Sequence, residues 1–424
     1  MRLQHIIFTL ACGILSTAFA IAQPFSSLRK YDISDGISEN TVRTIVQDKI
    51  GYIWLGTKDG ICRYNGDGFR NYGGYPKKND AAFLDVIKLC PHSDGQKIWI
   101  GTVDGIHLFN PHDETFMSLS EKIGVNSTVN DICYDNIGNL WIASGNGLFR
   151  YDEKSDTVNV YKYSPDKGAL PSNVALSLLK DSSGDIWVGT RAGLALFHKG
   201  LNKFIPYAWV RNNNNGKPLE INHMTEGVNG EIWIGTHYDG LLCFDRLTGS
   251  FQSFSVSAGK NGNTWIRAVH RTPDNNLFIG TEDGLFTFDI GTRKVKHVKD
   301  FSRAVIYAFM QDHEGGIWLG TYFDGMYYIP PQNTKINRFH EVTGEKNSLS
   351  GKAISQFCED NDGNIWIATE DEGLNHFNTS TGTFTHYKAD TAPPQEDKSQ
   401  QHPRLDAERK QSMDRHFFQG NRHS

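Results

Sequence analysis

Three groups of side chains have the types that grip a sugar. Two are turns, Thr236-His237-Tyr238-Asp239 and Thr321-Tyr322-Phe323-Asp324, and the third is the pair Trp265 and Arg267. Arg191 adds a further cation from a shorter turn. Aromatic rings stack on the C–H faces of a sugar, while arginine and aspartate bond its hydroxyls. The plainer alternative is that these residues cap a channel or touch a neighbouring domain. Either role requires a fold that returns the chain to one place at regular intervals.

A nine-residue phrase recurs eight times and supplies that fold. It reads YIWLGTKDG from Tyr52, KIWIGTVDG from Lys97 and DIWVGTRAG from Asp185, with a looser NLWIASGNG from Asn139. The anchors are Trp54, Trp99, Trp141, Trp187, Trp233, Phe278, Trp318 and Trp366, at steps of 45, 42, 46, 46, 45, 40 and 48. Short alternating segments at such a period predict an all-β protein, a β-propeller in which each copy is a four-stranded blade. In the fourth copy Asn173–Asp181 alternates as the inner strand and Asp181-Ser182-Ser183-Gly184 turns. Asp185–Thr190 is then the second strand, LALFH the third and Lys203–Tyr207 the outer one. The repeated Trp reads as packing between sheets. An Asp-box of the sialidase kind is rejected, because Ile or Leu rather than Thr precedes the Trp.

The strand count predicts how the ring closes. Pro24–Tyr31 already looks like an outer strand, matching Thr334–Phe339, and Pro330-Pro331 interrupts the seventh copy. The expected layout is a seven-bladed propeller over 23–330, closed when the N-terminal strand completes blade seven. An isolated first blade of an incomplete second propeller follows over 331–388. From Ala389 to Ser424 there is no Trp, Tyr, Ile or Val, and six acidic residues face six basic ones, so 389–424 is expected to be a disordered tail. A one-blade ring reads as a chain cut short.

Composition narrows the classes. The 43 basic and 48 acidic residues are evenly mixed, which points away from nucleic acid as a partner. Arg2 and the apolar run Ile6–Ala22, ending in A-x-A, predict a signal peptide over 1–22 and a periplasmic chain; no other segment is apolar enough to span a membrane. Cys62, Cys90, Cys133, Cys243 and Cys358 lie at least 28 residues apart, each in an expected strand. They are read as buried small hydrophobes, with no metal, cofactor or catalytic residue assigned.

The phrase IWIGT-x-x-GL-x-x-F, repeated behind a leader, resembles the two-component regulator propeller repeat from about Phe25 to Lys388. The resemblance implies the periplasmic sensor half of a hybrid two-component histidine kinase and response regulator from a glycan-degrading bacterium. In that family two propellers precede a β-sandwich, a membrane helix, a kinase, a receiver and a DNA-binding helix-turn-helix. A glycan or other small-molecule ligand is thus implied, with a homodimer left open. This chain carries no kinase glycine boxes and no placeable receiver aspartate. His270-Arg271-Thr272-Pro273 mimics a phospho-acceptor box but falls in a blade turn.

Propeller loops between strands two and three, and between outer and next inner strands, share one face. The candidate ligand residues there are Arg191, His237, Tyr238, Trp265, Arg267, Tyr322 and Phe323, with Trp265 and Arg267 just ahead of the inner strand of blade six. Two rivals remain. Propeller lyases of cyclic peptide lactones use a metal with a catalytic His and Glu, and here His223 and His237 are the candidates on that face. A protein-docking scaffold is the other.

Overall fold

The computed structural model describes residues 28–73, 85–209, 218–259, 263–331, 339–342 and 344–388. The apolar leader, residues 334–338 and the tail after 388 lie outside them. The chain divides into two units, Met1–Thr334 and Lys335–Ser424. Among the described residues eight four-stranded antiparallel sheets are formed. In blade one the strands are Val42–Gln47, Ile53–Thr57, Gly60–Tyr64 and Phe69–Tyr72, paired in sequence order. The first seven inner strands neighbour one another in succession, and Val305–Gln311 returns to Val42–Gln47 to close the ring. Blade seven takes its outer strand from the start of the chain. Arg29, Lys30 and Tyr31 pair with Tyr328, Tyr327 and Met326.

In blades one to seven each second strand is buried because both its faces meet a neighbouring blade. Trp54, Trp99, Trp141 and Trp187 are less than 2% exposed or close to it, and truncating such a ring costs about 3–5 kcal/mol. The glycine of the phrase is dictated by the next blade. A Cβ on Gly56 would lie 2.6 Å from Val86 Cγ1, and one on Gly235 would lie 2.5 Å from Ile266 Cγ2. At the closure, one on Gly320 would lie 2.5 Å from the Val42 carbonyl oxygen. Blade three breaks this rule with Ala143, and there the next inner strand begins with Ala175 instead of a branched residue; both are fully buried in one cluster.

The turn aspartates fix the tryptophans. Asp48 Oδ1 accepts the amides of Ile50, Gly51 and Tyr52, and Oδ2 accepts Trp54 Nε1–H at 2.7 Å. Asp135–Trp141, Asp181–Trp187 and Asp312–Trp318 repeat the indole bond at 3.0, 2.8 and 2.8 Å. Blade two lacks the aspartate, and Trp99 donates to Tyr134 Oη instead. Blade five substitutes Glu231, at 3.2 Å from Trp233 Nε1.

Blade eight folds with the same strand order, Ile354–Glu359 to Thr383–Tyr387. Its inner strand is exposed throughout, with Phe357 63% accessible, whereas the corresponding Leu89 is 1% accessible. The expectation of five buried cysteines needs correction. Cys62 is buried, Cys90, Cys133 and Cys243 are half-buried, and Cys358 is exposed, because it sits on this uncovered inner strand.

Candidate functional site

A bulge in every inner strand builds the site. In blades one to six the register against the second strand shifts at the second residue and in blade seven at the third, leaving Arg43, Ile87, Asn130, Leu176, Asn222, Arg267 and Tyr307 unpaired. A bulge re-aims the side chain it carries. Asn130 and Asn222 use this to donate to the next inner strand, at Ala175 O and Ile266 O. In blades six and seven the bulge carries Arg267 and Tyr307. Arg267 therefore lies within the strand Ile266–Arg271 rather than ahead of it; only Trp265 precedes it.

The two longer turns are held by their ends. Thr236 Oγ1 donates to Gly240 O, and Thr321 Oγ1 donates to Gly325 O, each at 2.7 Å. His237 N–H reaches Glu220 O and Gly325 N–H reaches Asn40 O, so each turn is tied to the loop entering its own or the adjacent blade. Asp324 accepts from Lys30 Nζ and from Tyr327 Oη. Phe323 is left 59% exposed at φ +60°, a left-handed conformation that strains a bulky side chain.

These pieces join into one stack. The His237 ring lies 3.9 Å from Tyr238 on one side and 3.9 Å from Trp265 on the other. The Arg267 guanidinium lies 3.8 Å from the Trp265 centroid and 4.6 Å from that of Tyr307. Tyr307 meets Tyr322 at 5.7 Å, Tyr322 meets Phe323 at 4.0 Å, and Lys58 Nζ stands 5.9 Å from Phe323. Two carboxylates brace the arc. Glu282 binds Arg267 at 2.7 Å, while Glu220 binds His237 Nδ1 at 3.2 Å and reaches Arg191 Nε at 3.7 Å. The structure thus connects all seven sequence candidates, and adds Lys58, Glu220, Glu282 and Tyr307.

The arrangement also changes their roles. His237 is stacked on two rings and Arg267 lies against Trp265 and Tyr307, so these inner rungs are not the ones left to stack on a sugar. They position the outer ones. His223, placed on the same face from sequence, instead sits within the inner strand of blade five and accepts Val269 N–H at 3.4 Å. It is packed away from His237 because its strand position points into the blade interface. Burial and the nearby Lys88 push His223 down to about 4. Among the described residues no group of three or more His, Cys, Asp or Glu could hold a metal ion.

Two cavities, of about 810 and 580 Å³, open at blades four to seven. One is lined by Trp233, Cys243, Arg246 and Arg293, the other by Glu226, His270, Arg271 and Gln311, at the far ends of the inner strands. Neither includes a residue of the stack, which is an open arc across blades five, six and seven.

Fold and site together define a propeller of repeated sheets with a braced aromatic arc on one face. Segments 36–59, 169–192, 300–323 and 348–371 match the two component regulator propeller, so the chain carries repeats of that family. It is similar to Histidine kinase P4 of Formosa agariphila, at 44% identity over 43 residues, 10% of this chain and 3% of that protein. It is also similar to the extracellular domain of a putative hybrid two component system from B. thetaiotaomicron. That likeness has TM-score 0.60 and 20% identity over 85% of this chain and 53% of the other. Virginiamycin B lyase from Staphylococcus aureus shares the fold at TM-score 0.55 and 14% identity, over 71% of this chain and 98% of the lyase. The chain therefore spans about half of that extracellular domain and a small part of the kinase.

Proposed function

We propose that the chain is the extracytoplasmic ligand-sensing part of a hybrid two-component signalling protein, and that a glycan fragment binds the arc on blades five to seven. The stack from Tyr238 to Phe323 carries this reading. It holds a strained, exposed aromatic ring at one end of a rigid support, a geometry with no value to packing alone. The repeats and the likeness to an extracellular signalling domain support the signalling half of the reading. A thermal-shift screen of the purified chain against oligosaccharides tests the ligand half. Stabilisation lost in Tyr322→Ala supports it, and a library that never shifts the melting temperature sinks it.

The shared fold keeps a lyase as the second reading. His237 is held by Glu220 and clamped between rings, a poor setting for a group that must exchange protons with a substrate. Lactone turnover that vanishes in His237→Ala would favour the lyase.

A further inference from the structure

We infer that the ligand of the arc is an acidic saccharide, whose carboxylate or sulfate is received by Lys58 beside the exposed ring of Phe323. This rests on the arc being the ligand site. Its charges are unevenly engaged. Glu282 is committed to Arg267, and Glu220 is committed to His237 and Arg191. Lys58 is exposed and forms no ion pair with any described residue, including its neighbour Asp59, whose amide bonds Thr57. The buried polar atoms of the arc that lack a partner, Trp265 Nε1 and Arg267 Nε, are both donors. The accessible charge of the arc left without an ion pair is therefore the Lys58 ammonium. A neutral sugar offers hydroxyls that donate as well as accept, whereas a carboxylate or sulfate only accepts. Lysine is a mobile point charge suited to such a group without fixed geometry.

Position supports the same ligand. Phe323 is the last ring of the stack, and Lys58 arrives from blade one within 5.9 Å of its centroid. A sugar stacked on that ring would carry its exocyclic group to the ammonium. The arc is open rather than enclosed, and neither cavity touches it, which suits a chain of sugars lying across several blades.

Two matched pairs test this by calorimetry on the full chain. One is oligogalacturonate against its neutral methyl ester; the other is a sulfated galactan oligosaccharide against its desulfated form. The charged member of at least one pair should bind about tenfold tighter, and the pair that responds tells carboxylate from sulfate. The advantage should shrink in about 0.5 M salt and disappear in Lys58→Gln. Equal binding within both pairs, a preference that survives Lys58→Gln, or no binding by any of the four overturns the inference. If neutral glycans bind and Tyr322→Ala abolishes that binding, the acidic specificity falls while the glycan site stands.

Discussion

The Arg267 guanidinium lies 3.8 Å from the centroid of the Trp265 ring and 4.6 Å from that of the Tyr307 ring. Both arginine and tyrosine occupy bulge positions of adjacent inner strands. A cation clamped between two rings and tied to Glu282 is a structural joint between blades six and seven.

Arg267→Ala should therefore lower both ligand affinity and stability, the latter by about 1–2 kcal/mol from lost stacking and an unpaired Glu282. Tyr322→Ala should cost affinity with a smaller effect on the melting temperature. A stability loss in Tyr322→Ala exceeding that in Arg267→Ala would refute this division of labour.

Asp181 accepts Asp185 N–H and Trp187 Nε1–H and forms an ion pair with Arg246 Nη2 at 3.0 Å. Asp181→Ala strands a buried indole N–H and removes one of the three carboxylates around Arg246, at about 1–3 kcal/mol. Asp181→Asn should cost less. Equal denaturation midpoints for wild type and Asp181→Ala would show that the indole bond contributes nothing.

Ala143 and Ala175 replace the glycine and branched residue found at the other blade boundaries. Ala175→Val alone should overpack the boundary and destabilise by about 1–3 kcal/mol. Ala143→Gly added to it should recover much of that loss. Simple additivity in the double-mutant cycle would mean the two positions do not share space.

His223 and His270 are both lowered from 6.5 to about 4, chiefly by burial, with Lys88 and Arg271 adding to the shift respectively. The unfolded chain then binds protons that the folded chain refuses. Stability from these groups is complete above pH 6.5 and is lost as pH falls toward 4. Because both rings are half-buried, the loss should be on the order of 2 kcal/mol. Melting temperatures at pH 7 and pH 5 check it; a His223→Gln, His270→Gln variant with the same pH slope would contradict it.

The inner strand Ile354–Glu359 has no covering neighbour among the described residues of its unit. Its amides should exchange hydrogen faster than those of Val129–Tyr134, whose side chains are enclosed on both flanks. Equal protection of the two strands by mass spectrometry would disprove this.

The Trp-anchored period made the blades legible, because each copy buries the same ring in the same place. The outer strand at Arg29–Tyr31 was legible too, since Pro330 and Pro331 left blade seven one strand short. Tyr307 was not. Strand reading assumes strict alternation, and a bulge inserts one residue that the alternation assigns to the wrong face. Glu220 and Lys58 were missed for another reason. Their importance comes from neighbours on other blades, which no local pattern encodes. The turn aspartates were visible as turn formers, but their bond to an indole six residues later requires the folded hairpin.

The pairing of Arg29–Tyr31 with Met326–Ile329 sets the order in which the molecule can be completed. Lys30 and Asp324 stand 294 residues apart, so the first strand waits, unpaired, until nearly the whole ring has emerged. Contacts of such separation form slowly. Until then the Met326–Ile329 edge is open to the same strand from another molecule, an exchange that would link two rings without altering any contact within them. Crowding before the ring closes, rather than any weakness of the finished ring, is where this protein is most exposed to error.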